Sequence, residues 1–209
     1  MKIPLQLKLK KKVHQSIAYA QDLIVEELYR FFPKAILHGG TAIWRCYQGN
    51  RFSEDIDAYL PRKEPLNAFF ESLSKKGFRI VKKRIKEHSL YSLLEFMRVP
   101  VRFEALFVQK QNAALKEYET AQGTFTHVYT LSPSDLIEEK KAAFLKRKKI
   151  RDLYDIFFLV QYLKNKKNLD LKKLKEIQIE DEKNLKALII TGPIPTAKEM
   201  LRYLEEWEE

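Results

Sequence analysis

Between residues 13 and 31 the apolar side chains Val13, Ile17, Ala20, Ile24, Leu28 and Phe31 recur at steps of three and four, the repeat of one face of a helix. Pro33 ends that segment. The apolar run Ala35, Ile36, Leu37 leading into Gly39 and Gly40 predicts a strand followed by a turn, and Thr41 is placed to cap a helix reaching about Tyr47. After the turn-prone Gln48, Gly49 and Asn50, residues 55–60 alternate strictly, with Asp55, Asp57 and Tyr59 on one face and Ile56, Ala58 and Leu60 on the other. Pro61 stops this strand. Residues 66–73 predict a helix closed by Gly77. Residues 78–85, 90–97 and 101–108 predict three more strands and residues 124–131 another, so the pattern implies a mixed sheet with helices around it.

The pattern changes at Ser132. Ser132, Pro133, Ser134 and Asp135 form a helix start, with serine as cap, proline at the first helical position and an acid three residues after the cap. From there to the end only helical pattern is visible, interrupted by the polar segment 164–168 and by Gly192, Pro193, Ile194 and Pro195. The expected organisation is an α/β domain over residues 1–131 and a helical domain over 132–209, with no internal repeat.

A chain of 209 residues can bury a substantial core without staples. Cys46 is the sole cysteine and cannot pair within the chain, and no apolar run approaches the ~20 residues a membrane span needs. The basic first twelve residues lack the apolar core and cleavage site of a secretory signal. A soluble, cytoplasmic protein with no membrane partner is expected. Lys and Arg number 39 against 28 Asp and Glu, a formal charge of +11, which favours nucleotides and nucleic acids as partners, although lysine also serves solubility alone.

Against that background Asp55 and Asp57 stand out. Two apart on a strand, their carboxylates project from one face and suit a hard cation. Aspartate is also a poor strand former, so the pair costs stability without an evident structural return. Glu104 lies on the face opposite Val101, Phe103, Ala105 and Phe107 and is a candidate third oxygen ligand, with Glu95 its competitor. Gly39-Gly40-Thr41 joins a strand to a helix, where unpaired amides favour a phosphate. Arg45 and Arg51 are candidates for phosphate oxygens, or else ordinary surface arginines. Lys140 interrupts the apolar face formed by Leu136, Ile137, Ala143 and Phe144 and needs either an anionic partner or a path to water. Arg147 follows on nearly the same face, and Arg151, Asp152 and Asp155 open the next helix.

Leu37-His38-Gly39-Gly40-Thr41-Ala42, Arg51-Phe52-Ser53-Glu54-Asp55-Ile56-Asp57, Glu139-Lys140-Lys141-Ala142-Ala143 with Arg147, and Arg151-Asp152-Leu153-Tyr154-Asp155 together resemble the AbiEii/AbiGii-type nucleotidyltransferases. The resemblance runs over residues 35–163. It implies a polymerase-beta-like nucleotidyltransferase fold, α/β (α+β) in class, with a mixed sheet and a helical C-terminal part. Carried over by position, it places the glycine motif at Gly39 and Gly40, the metal-binding acids at Asp55 and Asp57, the catalytic lysine at Lys140 and the Arg-Asp-x-x-Asp motif at Arg151, Asp152 and Asp155; Glu104, which no flanking motif marks, is expected as the third acid. Taken with the readings from the residues themselves, the expected nucleotide set is Gly39, Gly40, Thr41, Arg45, Arg51, Ser53, Arg147, Arg151, Asp152 and Asp155. Gly40 stands where the wider superfamily commonly has serine, so a hydroxyl contact to phosphate is expected to pass to Thr41.

The activity so implied is transfer of a nucleoside monophosphate from a nucleoside triphosphate to an acceptor hydroxyl, with magnesium or manganese as cofactor. An RNA acceptor such as the 3′ end of tRNA is expected, held by the basic run 146–149. Many such proteins are toxins of toxin–antitoxin or abortive-infection pairs, which implies an antitoxin partner. The alternatives are a non-catalytic RNA- or partner-binding module on the same fold, and nucleotidylation of a protein or small molecule.

Overall fold

The computed structural model describes residues 3–163, 169–171, 173–174 and 177–208. The polar segment 164–168, expected as a break between helices, lies outside them. The N-terminal apolar repeat forms α2 (Lys12–Phe31) after the one-turn α1 (Leu5–Lys8), and Ile17, Ala20, Ile24 and Leu28 are buried along α2. The strand-to-helix turn comes next, as β1 (Ile36–His38) and α3 (Gly39–Cys46). That helix starts two residues before Thr41, because the glycines themselves take up its first turn. The acidic segment becomes β2 (Ile56–Leu60), followed by α4 (Leu66–Lys75). Gly77 follows α4 at a left-handed φ of 94°, the usual conformation past a helix end.

β3 (Arg79–Ile85), β4 (Ser89–Phe96), β5 (Val99–Phe107), β6 (Ala113–Glu119) and β7 (Phe125–Leu131) complete a seven-stranded sheet ordered β3-β4-β5-β2-β1-β7-β6. β6 escapes the sequence pattern. Its residues AALKEYE favour helix over strand, and it sits at the sheet edge beside β7, so cross-strand pairing overrides local preference. The sheet is mixed: β3, β4 and β5 pair antiparallel, β5 runs parallel to β2, β2 antiparallel to β1, and β1 parallel to β7. One face buries Ile56, Ala58, Leu90, Leu94, Val101, Phe103 and Ala105, and the Phe69 ring of α4 meets Phe103 on that side, 5.3 Å between centroids. By strand alternation the opposite face carries Tyr91, Arg102, Glu104 and Asp57.

These elements belong to a first compact unit, residues 1–48 and 52–130, while a second comprises residues 49–51 and 131–209. Residues 49–51, expected in the α/β part, join the second unit for a physical reason. Asn50 O accepts from Ile190 N at 2.7 Å, and Arg51 bridges Ile189 and pairs with Asp155. In this unit α5 (Pro133–Arg147) begins as expected, with Ser132 Oγ accepting from Asp135 N. α6 (Ile150–Val160) packs on α5, and α8 (Ala197–Glu208) packs on α6. Between α6 and α8 the described chain is less helical than expected. It holds a 3-10 turn (Glu182–Asn184), the one-turn α7 (Leu185–Leu188) and an irregular stretch through Gly192, Pro193 and Pro195. None of the helices among the described residues is long and apolar enough to cross a membrane.

Candidate active site

In the first unit the glycine turn and the acids meet. Gly39 has φ 69°, and a Cβ built there would overlap Asp57 Oδ2 and lie 3.0 Å from its Cγ. Glycine is therefore required twice over, for the left-handed backbone and for room beside a carboxylate. Gly39→Ala is expected to cost about 1–2 kcal/mol from the backbone conformation alone, with the Asp57 carboxylate displaced as well. A fall of roughly 2–8 °C in thermal midpoint is the corresponding readout.

The parallel register pairs Asp57 directly with Glu104 and Ile56 with Phe103. Glu104 is thus the acid beside Asp57 on a neighbouring strand. Glu95 is not: it lies opposite Pro100 in the β4–β5 register and accepts two hydrogen bonds from Arg79, at 3.1 and 2.8 Å. Burial first, and then the Asp57 carboxylate, push the Glu104 carboxyl above its ordinary value, while Arg102 opposes the shift. Two like charges held side by side at a glycine-lined turn are an arrangement a cation relieves.

Asp55 is held differently. Its two carboxylate oxygens accept from Nε and Nη2 of Arg102, each at 2.7 Å. Among the described residues no three His, Cys, Asp or Glu side chains form a ready metal cluster, and this fork is one physical reason. Arg102 was not singled out from sequence. The available signal was its position two residues before Glu104, which places both on one face of β5.

Two expected phosphate contacts, Thr41 and Arg45, are otherwise engaged. Thr41 is buried, and its hydroxyl donates to the Asp55 carbonyl, fixing the chain just before β2. Arg45 is 1% exposed. Its guanidinium donates to the carbonyls of Ala18 (2.8 Å) and Glu119 (2.9 Å) and pairs with Asp22 at 3.2 Å. Arg45 is a core residue joining α2 to the end of β6, not a surface cation for phosphate. Ser53 is nearly buried, its carbonyl taken by Gln21 Nε2 at 2.9 Å.

In the second unit most of the remaining expected residues form one buried charge network. Arg51 donates to both oxygens of Asp155 at 2.8 Å. Lys140 Nζ lies 2.6 Å from Asp155 and 3.6 Å from Asp152, and Arg147 donates to both oxygens of Asp152 at 2.6 and 2.7 Å. The lysine that interrupts the apolar face of α5 therefore meets anions rather than water. Arg51 is an internal counter-ion, not a surface arginine. Burial raises the Asp155 carboxyl, but Arg51 and Lys140 outweigh it and hold that carboxyl below its ordinary value. Arg151 is half-buried at the start of α6.

Residues 23–206 match the family model described as nucleotidyl transferase AbiEii toxin, type IV TA system. Among solved structures the chain is similar to JHP933 from Helicobacter pylori, with a TM-score of 0.70 at 20% identity, covering 95% of this chain and 93% of that one. It is also similar to an H. pylori protein provisionally described as a nucleotidyltransferase, with a TM-score of 0.66 at 20% identity over 95% and 96% of the two chains. These structural likenesses establish the fold. Among curated protein sequences none matches significantly.

Proposed function

Because this chain belongs to the nucleotidyl transferase AbiEii toxin family of type IV toxin–antitoxin systems, we propose that it transfers a nucleoside monophosphate from a nucleoside triphosphate to an acceptor hydroxyl, with the chemistry seated on Asp57 and Glu104. The carrying observation is the direct cross-strand pairing of these two carboxylates beside Gly39, whose missing Cβ leaves room for Asp57. The donor set is all oxygen, as hard divalent cations prefer. Asp57 and Glu104, joined by Asp55 once Arg102 releases it, would hold magnesium, or manganese in its place, which lowers the pKa of the acceptor hydroxyl and neutralises phosphate charge. The amides at the start of α3 face the position a phosphate takes at a helix N-terminus. The acceptor hydroxyl gives up its proton to water, its oxygen attacks the α-phosphorus, a new P–O bond forms, and pyrophosphate leaves with the electron pair of the broken α–β bond. Within the second unit the Lys140 ammonium is fixed by Asp152 and Asp155, and its part in the reaction is read by exchanging it. The partner proposed for the toxin is an acidic antitoxin protein, complementary to the net +11 charge.

A second reading, a binding module without catalysis, is favoured by one observation: Arg102 already neutralises Asp55. The two readings part on Arg102→Gln. In an enzyme whose acids bind metal, losing this half-exposed competitor is expected to tighten manganese binding about fivefold, equivalent to the roughly 1 kcal/mol such an ion pair is worth. Calorimetric titration without nucleotide measures it. For the activity itself, the protein is incubated with each α-labelled triphosphate, magnesium and total cellular RNA. Label is expected in a macromolecule with the parent and to be lost with Asp55→Ala/Asp57→Ala. Equal labelling by both proteins would refute the assignment.

A further inference from the structure

The open face of the sheet continues beyond the acids. Arg84 pairs with Tyr91, Tyr91 with Glu104, Glu104 with Asp57 and Asp57 with His38. Directly opposed residues share a face, so one row crosses five strands in the order Arg84, Tyr91, Glu104, Asp57, His38. Three strand spacings, roughly 14 Å, separate the first of these from Asp57. That span is about four stacked nucleotides at ~3.4 Å each.

Lys82 on β3 and Lys86, one residue past its end, flank Arg84 on the same side, and all three are exposed. With Ser89 and Tyr91 they line a concavity of about 310 Å³. The Lys82 ammonium stands 5.7 Å from the centroid of the Tyr91 ring, whereas Lys83 turns to the other face and sits 4.9 Å from the Phe70 ring of α4. Cations on an edge strand also discourage another chain from pairing with it. That purpose is indifferent to which face they take. Here three cations project on the acids' side, at intervals of roughly 6.7 Å along the strand, with an aromatic ring between them and Glu104.

We propose that Lys82, Arg84, Lys86 and Tyr91 form a track for single-stranded RNA that leads the acceptor's end along the sheet to Asp57 and Glu104. The cations hold backbone phosphates, and the Tyr91 ring receives a base by stacking, an interaction that tolerates any sequence. The inference rests on the assignment of Asp57 and Glu104 as the transfer site, and what it adds is the acceptor's path to that site.

Fluorescence anisotropy with a 5′-labelled single-stranded RNA 12-mer tests it on the full chain, without triphosphate, so that binding is read apart from chemistry. Lys82→Gln/Arg84→Gln/Lys86→Gln is expected to weaken binding roughly 100-fold at 0.1 M salt and to reduce the slope of log affinity on log salt by roughly 2, the signature of three lost phosphate contacts. Tyr91→Ala, a single exchange that keeps every charge, is expected to weaken binding about tenfold with the slope unchanged. Loss of binding in the track variants together with no nucleotidyl transfer by the parent would leave the track standing and remove the transfer site. Parental affinity in both track variants, with loss instead in Lys146→Gln/Lys148→Gln/Lys149→Gln, would overturn the track. So would binding of polyglutamate, but not RNA, that the triple exchange abolishes, since that outcome assigns the strip to an acidic protein.

Discussion

Asp57→Asn protein is expected to stay folded, to be at least as heat-stable as the parent, and to transfer nucleotide about a thousandfold more slowly. The two halves of this expectation have one cause. Asp57 sits directly across from Glu104, against Gly39, where an added Cβ would displace its carboxylate. Without a cation the pair is repulsive, and Asp57 is part of what raises the Glu104 carboxyl. Removing one charge relieves the fold by up to about 1 kcal/mol, or roughly 2–4 °C in a domain of this size. Removing one oxygen ligand forfeits several kcal/mol of transition-state charge stabilisation, and each 1.36 kcal/mol is tenfold in rate. Asp55→Asn is expected to be milder in activity and costlier in stability, because it breaks the fork with Arg102. A thermal melt and single-turnover transfer on each variant measure both quantities. Gain of stability with loss of activity marks a functional carboxylate; loss of both would point to a structural one.

Asp155→Ala is expected to have the largest effect on folding, about 3–5 kcal/mol, because removing one partner of a buried charge network leaves the others desolvated and unpaired. Asp155 is 1% exposed and serves both Arg51 and Lys140. Lys140→Met should cost less, since Arg51 still holds Asp155 and Arg147 still holds Asp152. Urea unfolding of the three proteins gives the order directly. The acid side supplies a further check. A carboxyl with a depressed folded pKa stabilises fully above its ordinary value near 3.9 and loses that contribution as pH falls through the folded value. The stability gap between parent and Asp155→Ala is therefore expected to be constant around neutrality and to close below about pH 4. Lys140→Met also separates packing from chemistry: a folded but inactive variant assigns the ammonium to the reaction.

What the sequence revealed, it revealed through local signals. Period-two alternation put Asp55 and Asp57 on one face, and the same alternation put Glu104 outward from β5. A glycine pair between strand and helix marked the turn. A lysine on an apolar helix face demanded an anion, and α6 supplies two. What stayed hidden depends on pairings distant in sequence. Arg102 acquires meaning only because β5 lies parallel to β2, which brings it to Asp55, 47 residues away in the chain. Arg45 and Arg51 carry no mark that distinguishes a buried arginine from a surface one, and only the fold shows each enclosed by carboxylates and carbonyls. β6 is written in helix-forming residues and becomes a strand by pairing with β7.

The central claim is that Asp57 and Glu104 jointly bind a divalent cation. Manganese titration followed by electron paramagnetic resonance reads this without any acceptor or turnover. The parent should bind manganese, and Asp57→Asn and Glu104→Gln should each weaken that binding by at least about tenfold. Parental affinity in both single variants would contradict the account.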